Sequence, residues 1–181
     1  NRKEVLEETF KHNNVKNIIL EKIVFQSSTD FLKIIMINEE LNINIWVNCN
    51  KRCFPIFNRI KEEIGNSKIS TISVEGGNWN IASNAIHFLD IFYFLTGNID
   101  IKVYSSNIES KIYKSKRDDY IDLYGEMTFI NSDGSLLRLI NLKHSVLPVL
   151  LYIQFLDERL YLDMTNSKLY NLKRINNYRI V

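Results

Sequence analysis

Apolar residues recur along this chain with a helical period in the first half and a strand period in the second half. Residues 1–11 carry an amphipathic helical pattern, and the apolar residues of the segment 15–20 predict a buried parallel strand. N-cap residues at 27–30 precede a second helical face, and residues 42–48 alternate as a strand. This order of helix, strand, helix and strand predicts a piece of an α/β unit whose beginning is missing.

Pro55 begins the next predicted helix, because a proline at the first helical position removes only a donor that has no partner within the helix. Gly65 ends that helix, since glycine readily adopts the conformation that follows a last helical turn. A strand is predicted at residues 68–74, and the two consecutive glycines Gly76 and Gly77 are expected to break it.

The segment 83–95 is apolar almost all round and predicts a core helix that ends at Gly97. Side chains three and four positions apart share a helix face, so Ser83, His87 and Asp90 line up on one side. A buried histidine beside a carboxylate can transfer protons near neutral pH. The pair can equally satisfy structural hydrogen bonds in the core, and this helix alone favours that structural interpretation.

After Gly97 the pattern alternates with period two, which predicts strands. Alternating apolar positions from Ile121 to Phe129 predict one face of a long strand, and residues 131–134 predict a hairpin turn. Further short strands are predicted at residues 136–142, 149–155, 159–163 and 168–172. The predicted fold class is therefore α+β, an open, largely antiparallel sheet with helices packed on one face, preceded by the α/β remnant.

Charge and cysteine content exclude several classes of function. The chain has 23 basic and 21 acidic residues and a net charge of +2, so electrostatics indicate neither a nucleic-acid partner nor an anionic membrane. The basic run Lys111–Arg117 is expected to be a solvated loop. Cys49 and Cys53 are the only cysteines, so they build neither a redox CxxC motif nor a four-thiolate metal site. No metal site is predicted, and a cytoplasmic location is expected.

Three segments, taken in order, resemble the Gfo/Idh/MocA family of nicotinamide-dependent oxidoreductases, which includes glucose-fructose oxidoreductase and inositol dehydrogenase. The apolar strand ending in Glu21-Lys22 resembles the family's Glu-Lys-Pro motif, with Ile23 in place of the usual proline. A second segment resembles the family's passage of Asn, Arg, Pro, aromatic, Lys and Gly, through Asn48, Arg52, Pro55, Phe57, Lys61 and Gly65. The third resembles the segment with the catalytic histidine, from Gly76-Gly77-Asn78-Trp79 through Ser83–Asp90 to Gly97.

The resemblance implies a Rossmann half that binds NAD or NADP, followed by a substrate half built on an open sheet. Residues 1–41 would be the end of the Rossmann domain, and residues 42–181 the substrate-binding and oligomerisation domain. No glycine-rich turn precedes Lys22, so the dinucleotide fingerprint is expected to lie outside this sequence. We therefore expect a fragment that does not hold the cofactor by itself.

The family pattern also assigns candidate roles to individual residues. Lys22 and His87 would be catalytic, because a hydroxyl that loses hydride must also lose a proton, and a nearby cation stabilises the developing oxyanion. Glu21 and Lys22 would lie beside the cofactor. The candidate substrate-binding residues are Arg52, Asn78, Trp79, Ser83 and Asn84.

Each candidate also has a structural explanation. Lys22 could be a solvated lysine at a strand end, Arg52 could form a salt bridge to the next helix, and Trp79 could anchor the core. For Asn48 the sequence favours neither a role in the site nor a structural role.

Ser83 departs from the family pattern, because many members have Asp four residues before the histidine. Either Asp90 or Asn84 would then orient His87, or the chemistry is altered. The resemblance implies an oxidoreductase acting on a hydroxyl of a sugar, cyclitol or nucleotide-sugar. The alternative is a non-catalytic sugar-binding or oligomerisation module of the same fold, in which Tyr120, Tyr124 and Ile130 form an exposed face that contacts a second copy.

Overall fold

The computed structural model describes residues 2–12, 14–25, 27–115, 120–156 and 158–173, and contacts divide the chain into two compact units. The units are Asn1–Asn50 and Lys51–Val181, so the observed division lies later than the predicted boundary after residue 41. The assignment of a Rossmann part and a substrate part to these units stays a prediction.

The first unit has the element order that the hydropathy pattern predicts. Its elements are α1 Arg2–Phe10, β1 Asn17–Glu21, α2 Ser28–Leu41 and β2 Asn44–Asn48. The Ser27 hydroxyl caps α2 by accepting a hydrogen bond from the Thr29 amide at 3.2 Å, which confirms the predicted N-cap. β1 and β2 pair in parallel, as predicted, and a small core forms beneath them from Leu6, Phe10, Val24, Phe25, Ile34 and Ile43.

The prediction that the first strand is buried is wrong for the described residues. Ile18 and Leu20 pack against the small core, whereas Ile19, between them, points to the other face and is 73% exposed. Trp46 and Val47 on β2 are also exposed. The apolar residues of this strand are therefore not buried on both faces, because the described helices cover only one face of the two-stranded sheet.

The second unit is built on a seven-stranded sheet with the order β11-β10-β9-β3-β8-β7-β4. All strand neighbours in it are antiparallel except β3 and β8, which confirms the largely antiparallel sheet. A 3-10 helix, Asn50–Cys53, contains the division between the units. The other elements are α3 Pro55–Ile64, β3 Ile69–Gly77, α4 Ile81–Thr96, β4 Ile101–Ile108, β5 Tyr113–Lys114, β6 Ile121–Asp122, β7 Gly125–Asn131, β8 Leu136–Leu142, β9 Leu150–Phe155, β10 Glu158–Asp163 and β11 Lys168–Lys173.

Helices α3 and α4 cover one face of this sheet and bury its apolar positions. On β3, Ile72 and Val74 are buried under the helices, while the alternate positions Thr71, Ser73 and Glu75 lie on the opposite face. The fully buried core includes Phe57, Ile60, Phe88, Ile91, Phe92, Leu137, Leu139, Leu151 and Ile153. We call the opposite face, which no described helix covers, the open sheet face.

Three local predictions are wrong. β3 continues through Gly76 and Gly77 instead of breaking there, because the two glycines leave room for the loop 145–149 to cross the strand. The predicted long strand around residues 121–129 is two strands, since the Asp122 carboxylate accepts a hydrogen bond from the Leu123 amide and turns the chain there.

The third correction concerns the basic run. Residues 113–114 form β5, which pairs with β6, so this part of the run is not a simple solvated loop. Lys116 and Arg117 lie outside the described residues.

Candidate functional site

The candidate site is organised by α4, whose ends follow from local sequence. The helix ends at Gly97, which has φ 72° and donates its amide to the Tyr93 carbonyl at 2.7 Å. At the other end Asn80 has φ 58°, a left-handed conformation that asparagine tolerates. The Asn84 side chain donates to the Trp79 carbonyl at 2.7 Å, and this hydrogen bond secures the entry into the helix.

His87 lies two turns into α4 and is 6% exposed. The sequence prediction of a buried histidine in a core helix is therefore confirmed. Ser83, one turn before it, directs its hydroxyl to the Asn80 carbonyl at 3.4 Å. The Ser83 and Asn84 side chains thus both bind backbone of the helix entry, and their assignment to substrate binding stays a prediction.

Asp90 is held by Arg52 in a two-pronged ion pair. The Arg52 Nε donates to Asp90 Oδ2 at 2.7 Å, and its Nη2 binds Oδ1. The Asp90 side chain is only 9% exposed, and this burial raises the pKa of its carboxyl even though Arg52 acts to lower it. Arg52 thus forms a salt bridge, but its partner lies on α4 and not on the next helix, α3. Asp90 is paired with Arg52, whereas the helix pattern had suggested His87 as its partner.

The segment Gly76–Trp79 connects the sheet to α4. The Trp79 indole is 8% exposed, donates its N–H to the Ile140 carbonyl at 2.9 Å, and contacts Phe88 edge to face at 5.3 Å. Asn78 donates to the Ser145 carbonyl at 2.8 Å and accepts from the Tyr124 hydroxyl at 2.8 Å. Trp79 is thus packed in the core, whereas Asn78 lies partly exposed at a polar surface.

In the first unit, three candidates gather at the carboxyl ends of the parallel strands. Glu21 and Lys22 follow β1, and Asn48 ends β2 beside them. The Asn48 amide donates to the Glu21 carboxylate at 3.1 Å, and the peptide bond between Lys22 and Ile23 is cis. The carboxyl ends of parallel strands are where open α/β sheets bind ligands.

No motif in the sequence indicates the polar cluster that the structure forms beside the entry of α4. Its members are Glu109, Tyr113, Tyr124, Lys143 and Asn78, and we call it the Tyr113 cluster. The Tyr113 hydroxyl donates to Glu109 Oε2 at 2.6 Å and accepts from Lys143 Nζ at 2.6 Å. The rings of Tyr113 and Tyr124 meet edge to face at 4.9 Å. These residues come from four separate segments, so spacing along the chain could not reveal them.

The Tyr113 cluster perturbs the ionisable groups that compose it. The hydrogen bond from Tyr113 lowers the pKa of Glu109 and the contact with the same hydroxyl raises the pKa of Lys143, so both charged forms are stabilised. Burial, assisted by the nearby Asp122 carboxylate, raises the pKa of the Tyr124 hydroxyl. Tyr124 therefore remains a neutral donor around neutral pH.

The described residues lack two kinds of feature, a metal-binding cluster and a membrane-spanning helix. No group of three or more His, Cys, Asp or Glu side chains in the described part of the chain could hold a metal ion. No helix among the described residues combines the length and the apolar character needed to cross a membrane.

The chain resembles solved structures of dehydrogenases over almost its whole length. It matches UDP-N-acetylglucosamine 3-dehydrogenase GnnA from Acidithiobacillus ferrooxidans with a TM-score of 0.72 and 15% identity, covering 97% of this chain and 58% of that one. The fold is that of the C-terminal half of a Gfo/Idh/MocA-type oxidoreductase. The dehydrogenase MviM from Clostridium difficile matches with a TM-score of 0.67 and 13% identity, covering 95% of this chain and 59% of that one.

A third solved structure that the chain resembles carries ligands. It is an oxidoreductase from Agrobacterium radiobacter in complex with NAD+, L-tartaric acid and magnesium, with a TM-score of 0.64, 15% identity, and coverage of 93% of this chain and 54% of that one. This chain thus spans little more than half the length of these solved relatives. No family model matches the sequence, and no curated protein matches it.

Proposed function

We propose that this chain is the substrate-binding part of an NAD(P)-dependent oxidoreductase that acts on a hydroxyl of a sugar, cyclitol or nucleotide-sugar. The observation that carries the proposal is the fold, which matches enzymes of this chemistry over 97% of the chain. The shared fold supports the class of reaction by analogy with these enzymes. The residues at the strand ends and on α4 supply the chemistry.

The residues of the first unit fit a nicotinamide cofactor. Glu21, Lys22 and Asn48 lie at the carboxyl ends of two parallel strands, where a dinucleotide binds in sheets of this type. The Agrobacterium relative holds NAD+, which supports the same cofactor class here. A bound nicotinamide would take up or release hydride at the carbon that bears the reacting hydroxyl.

In the proposed reaction, His87 accepts the hydroxyl proton when the alcohol is oxidised and returns it in the reverse direction. An imidazole suits this role because its unperturbed pKa lies near neutral pH. Lys22 is the second residue with a proposed catalytic role, because a cation beside the cofactor stabilises negative charge that develops on a substrate oxygen. We further propose that the protein acts in the cytoplasm and forms a homo-oligomer through the open sheet face.

The first test is a fluorescence titration of the full-length protein with NADH and NADPH, followed by an absorbance screen of hydroxyl substrates. The screen includes glucose, myo-inositol and UDP-N-acetylglucosamine. Cofactor binding with turnover supports the proposal, whereas binding of neither nucleotide refutes it and leaves a resemblance of fold alone.

The second test assigns the proton acceptor. His87→Asn should lower turnover at least a hundredfold with near-normal cofactor affinity, since general base catalysis contributes about 10²- to 10⁴-fold. His12→Asn, which changes an exposed histidine after α1, is the matched control and should be neutral. Lys22→Ala should weaken both turnover and cofactor binding. Unchanged turnover in His87→Asn would remove this residue from the mechanism.

A non-catalytic sugar-binding or assembly module is the second candidate function. Ser83 in place of the family's aspartate, the 6% exposure of His87 and the engagement of Asp90 by Arg52 favour it. In that case the wild-type protein binds a sugar but turns over none of the screened hydroxyl compounds with either nucleotide.

A further inference from the structure

We propose that the Tyr113 cluster is a subsite for an uncharged polyhydroxylated ring, with Glu109, Tyr113 and Lys143 as its specificity-determining residues. The inference rests on the proposed function, because it names the part of the substrate that this surface recognises. The family pattern did not single out the three residues to which we assign specificity.

The cluster is joined directly to the start of the helix that bears His87. Tyr124 donates its hydroxyl to Asn78, and the Ser115 hydroxyl donates to the Asn80 side chain at 3.1 Å. Asn80 is the residue immediately before α4. A substrate held by the cluster would therefore lie beside the entry of the catalytic helix, and binding energy gained there could orient a reacting hydroxyl.

The close approach of the strands that form the cluster depends on a glycine. Gly125 has φ 121°, and a Cβ there would lie 2.2 Å from the Asn107 carbonyl oxygen. With glycine at this position, the Glu109 amide reaches the Tyr124 carbonyl at 2.9 Å just beyond the paired strands. Backbone contacts therefore fix the relative positions of Glu109 and Tyr124.

The exposed atoms of the cluster match the chemistry of a sugar or cyclitol. Glu109 offers carboxylate oxygens as acceptors, while Lys143 offers ammonium N–H donors, and their side chains are 42% and 32% exposed. Tyr113 and Tyr124 add partly exposed aromatic surface for the apolar face of a ring. Vicinal hydroxyls donate and accept hydrogen bonds at once, so a surface that presents both kinds of partner suits them.

The charge balance argues against a diphosphate at this position. Lys143 lies 3.6 Å from the Glu109 carboxylate, so its positive charge is already compensated. Lys111 lies over the Tyr113 ring at 5.4 Å, but the buried Asp122 next to Tyr124 offsets that second charge. The charges that interact with the two tyrosine rings are thus two lysines and two carboxylates, which compensate one another and disfavour a phosphate group there.

The experiment measures ligand binding by calorimetry on the full-length protein and on three variants. The ligands are glucose, myo-inositol, N-acetylglucosamine and uridine diphosphate, and the variants are Tyr113→Phe, Lys143→Met and Glu109→Gln. We expect the wild-type protein to bind at least one uncharged ring, and each variant to weaken that binding on the order of tenfold, as expected for losing a hydrogen bond to a charged group.

The control is Lys114→Met, which removes an exposed lysine next to Tyr113 and should leave the affinity unchanged. Three results would overturn the proposal: no binding of any uncharged ring, equal affinities in all variants, or uridine diphosphate binding that Lys143→Met abolishes. If turnover occurs but its KM is the same in the variants, the subsite is wrong and the oxidoreductase stands. If the variants lose ring binding and the wild type has no turnover, the subsite stands and the oxidoreductase fails.

Discussion

Gly77 shows how a single residue without a side chain shapes the surroundings of α4. A Cβ at this position would lie 2.1 Å from the Ser145 carbonyl oxygen and 2.6 Å from the Ser145 Cβ. The Gly77 amide donates to the Leu147 carbonyl at 3.1 Å, which holds the crossing loop against the strand. The pair of glycines in the sequence therefore marks a close crossing of two backbone segments and not a strand end.

Gly77→Ala should lower the free energy of unfolding by about 3 kcal/mol, at the upper end for overpacking, because backbone atoms cannot move aside easily. Gly97→Ala is the comparison. It has open space around it but φ 72°, so only the left-handed conformation is penalised, at about 1 kcal/mol. Urea denaturation measures both variants, and a loss for Gly77→Ala no larger than that for Gly97→Ala would contradict the assignment of the clash.

At the scale of residues, the sequence predicted a position correctly only where the local structure strongly favours one residue type. Ser27 before a helical pattern and Gly97 after one have local causes, and both are found where predicted. Tyr113 has no such local cause, because its partners Glu109 and Lys143 are brought to it by the turn at residues 122–125 and by the strand β8.

At the scale of elements, the sequence predicts helix α4 best. It does not predict which side chains of other elements pair with residues of this helix. An apolar run with a glycine after it indicates a buried helix whatever the fold. The pairing of Asp90 with Arg52 depends on how the 3-10 turn packs on that helix, where Lys51 also lies over the Phe88 ring at 4.9 Å. Hydropathy has no information about that docking.

Arg52→Gln should destabilise the protein by about 2 to 3 kcal/mol at neutral pH, since it leaves the buried Asp90 carboxylate without its cation. The value lies below that of a fully buried pair because the Arg52 side chain is 37% exposed. Removal of Arg52 takes away an influence that lowers the pKa of Asp90, so the carboxyl protonates at a higher pH in the folded variant. The destabilisation caused by Arg52→Gln should therefore become smaller as the pH falls through the raised pKa of Asp90.

Urea denaturation of Arg52→Gln at a series of pH values measures this dependence. The matched variant is Arg138→Gln, which breaks an exposed pair with Glu126 and should cost less than about 1 kcal/mol. Equal losses for the two variants, or a loss in Arg52→Gln that grows at low pH, would show that the Arg52 pair does not neutralise a buried charge.

At the scale of the whole molecule, the open sheet face is a surface that no described helix covers. Tyr152, Tyr161 and Tyr170 lie side by side on three neighbouring strands, with ring centroids 5.0 and 5.7 Å apart. Tyr124, predicted to share this face, instead binds Asn78, because the chain turns between β6 and β7. The sequence thus predicted an exposed sheet face, but it did not predict which tyrosines lie on that face.

Tyr161→Arg should convert the proposed homo-oligomer to monomers, since two copies related by a twofold axis would bring two buried charges together. Sedimentation velocity measures the change, and the thermal unfolding midpoint verifies that the variant is folded. Ile99→Arg, which changes a 77% exposed residue in the turn after α4, should leave the mass unchanged. A wild-type protein that sediments as a monomer would rule out this assembly.

The central position of β3 has a consequence for how the protein is made. Ile72 on this strand lies between Leu137 of β8 and Ile153 of β9, both far later in the chain. As the chain leaves the ribosome, β3 and α4 emerge long before the strands that flank β3. The apolar faces of β3 and α4 therefore stay exposed until β8 and β9 have been synthesised. The segment of β3 and α4 must therefore be protected from aggregation during synthesis, because the order of the strands along the chain delays its partners.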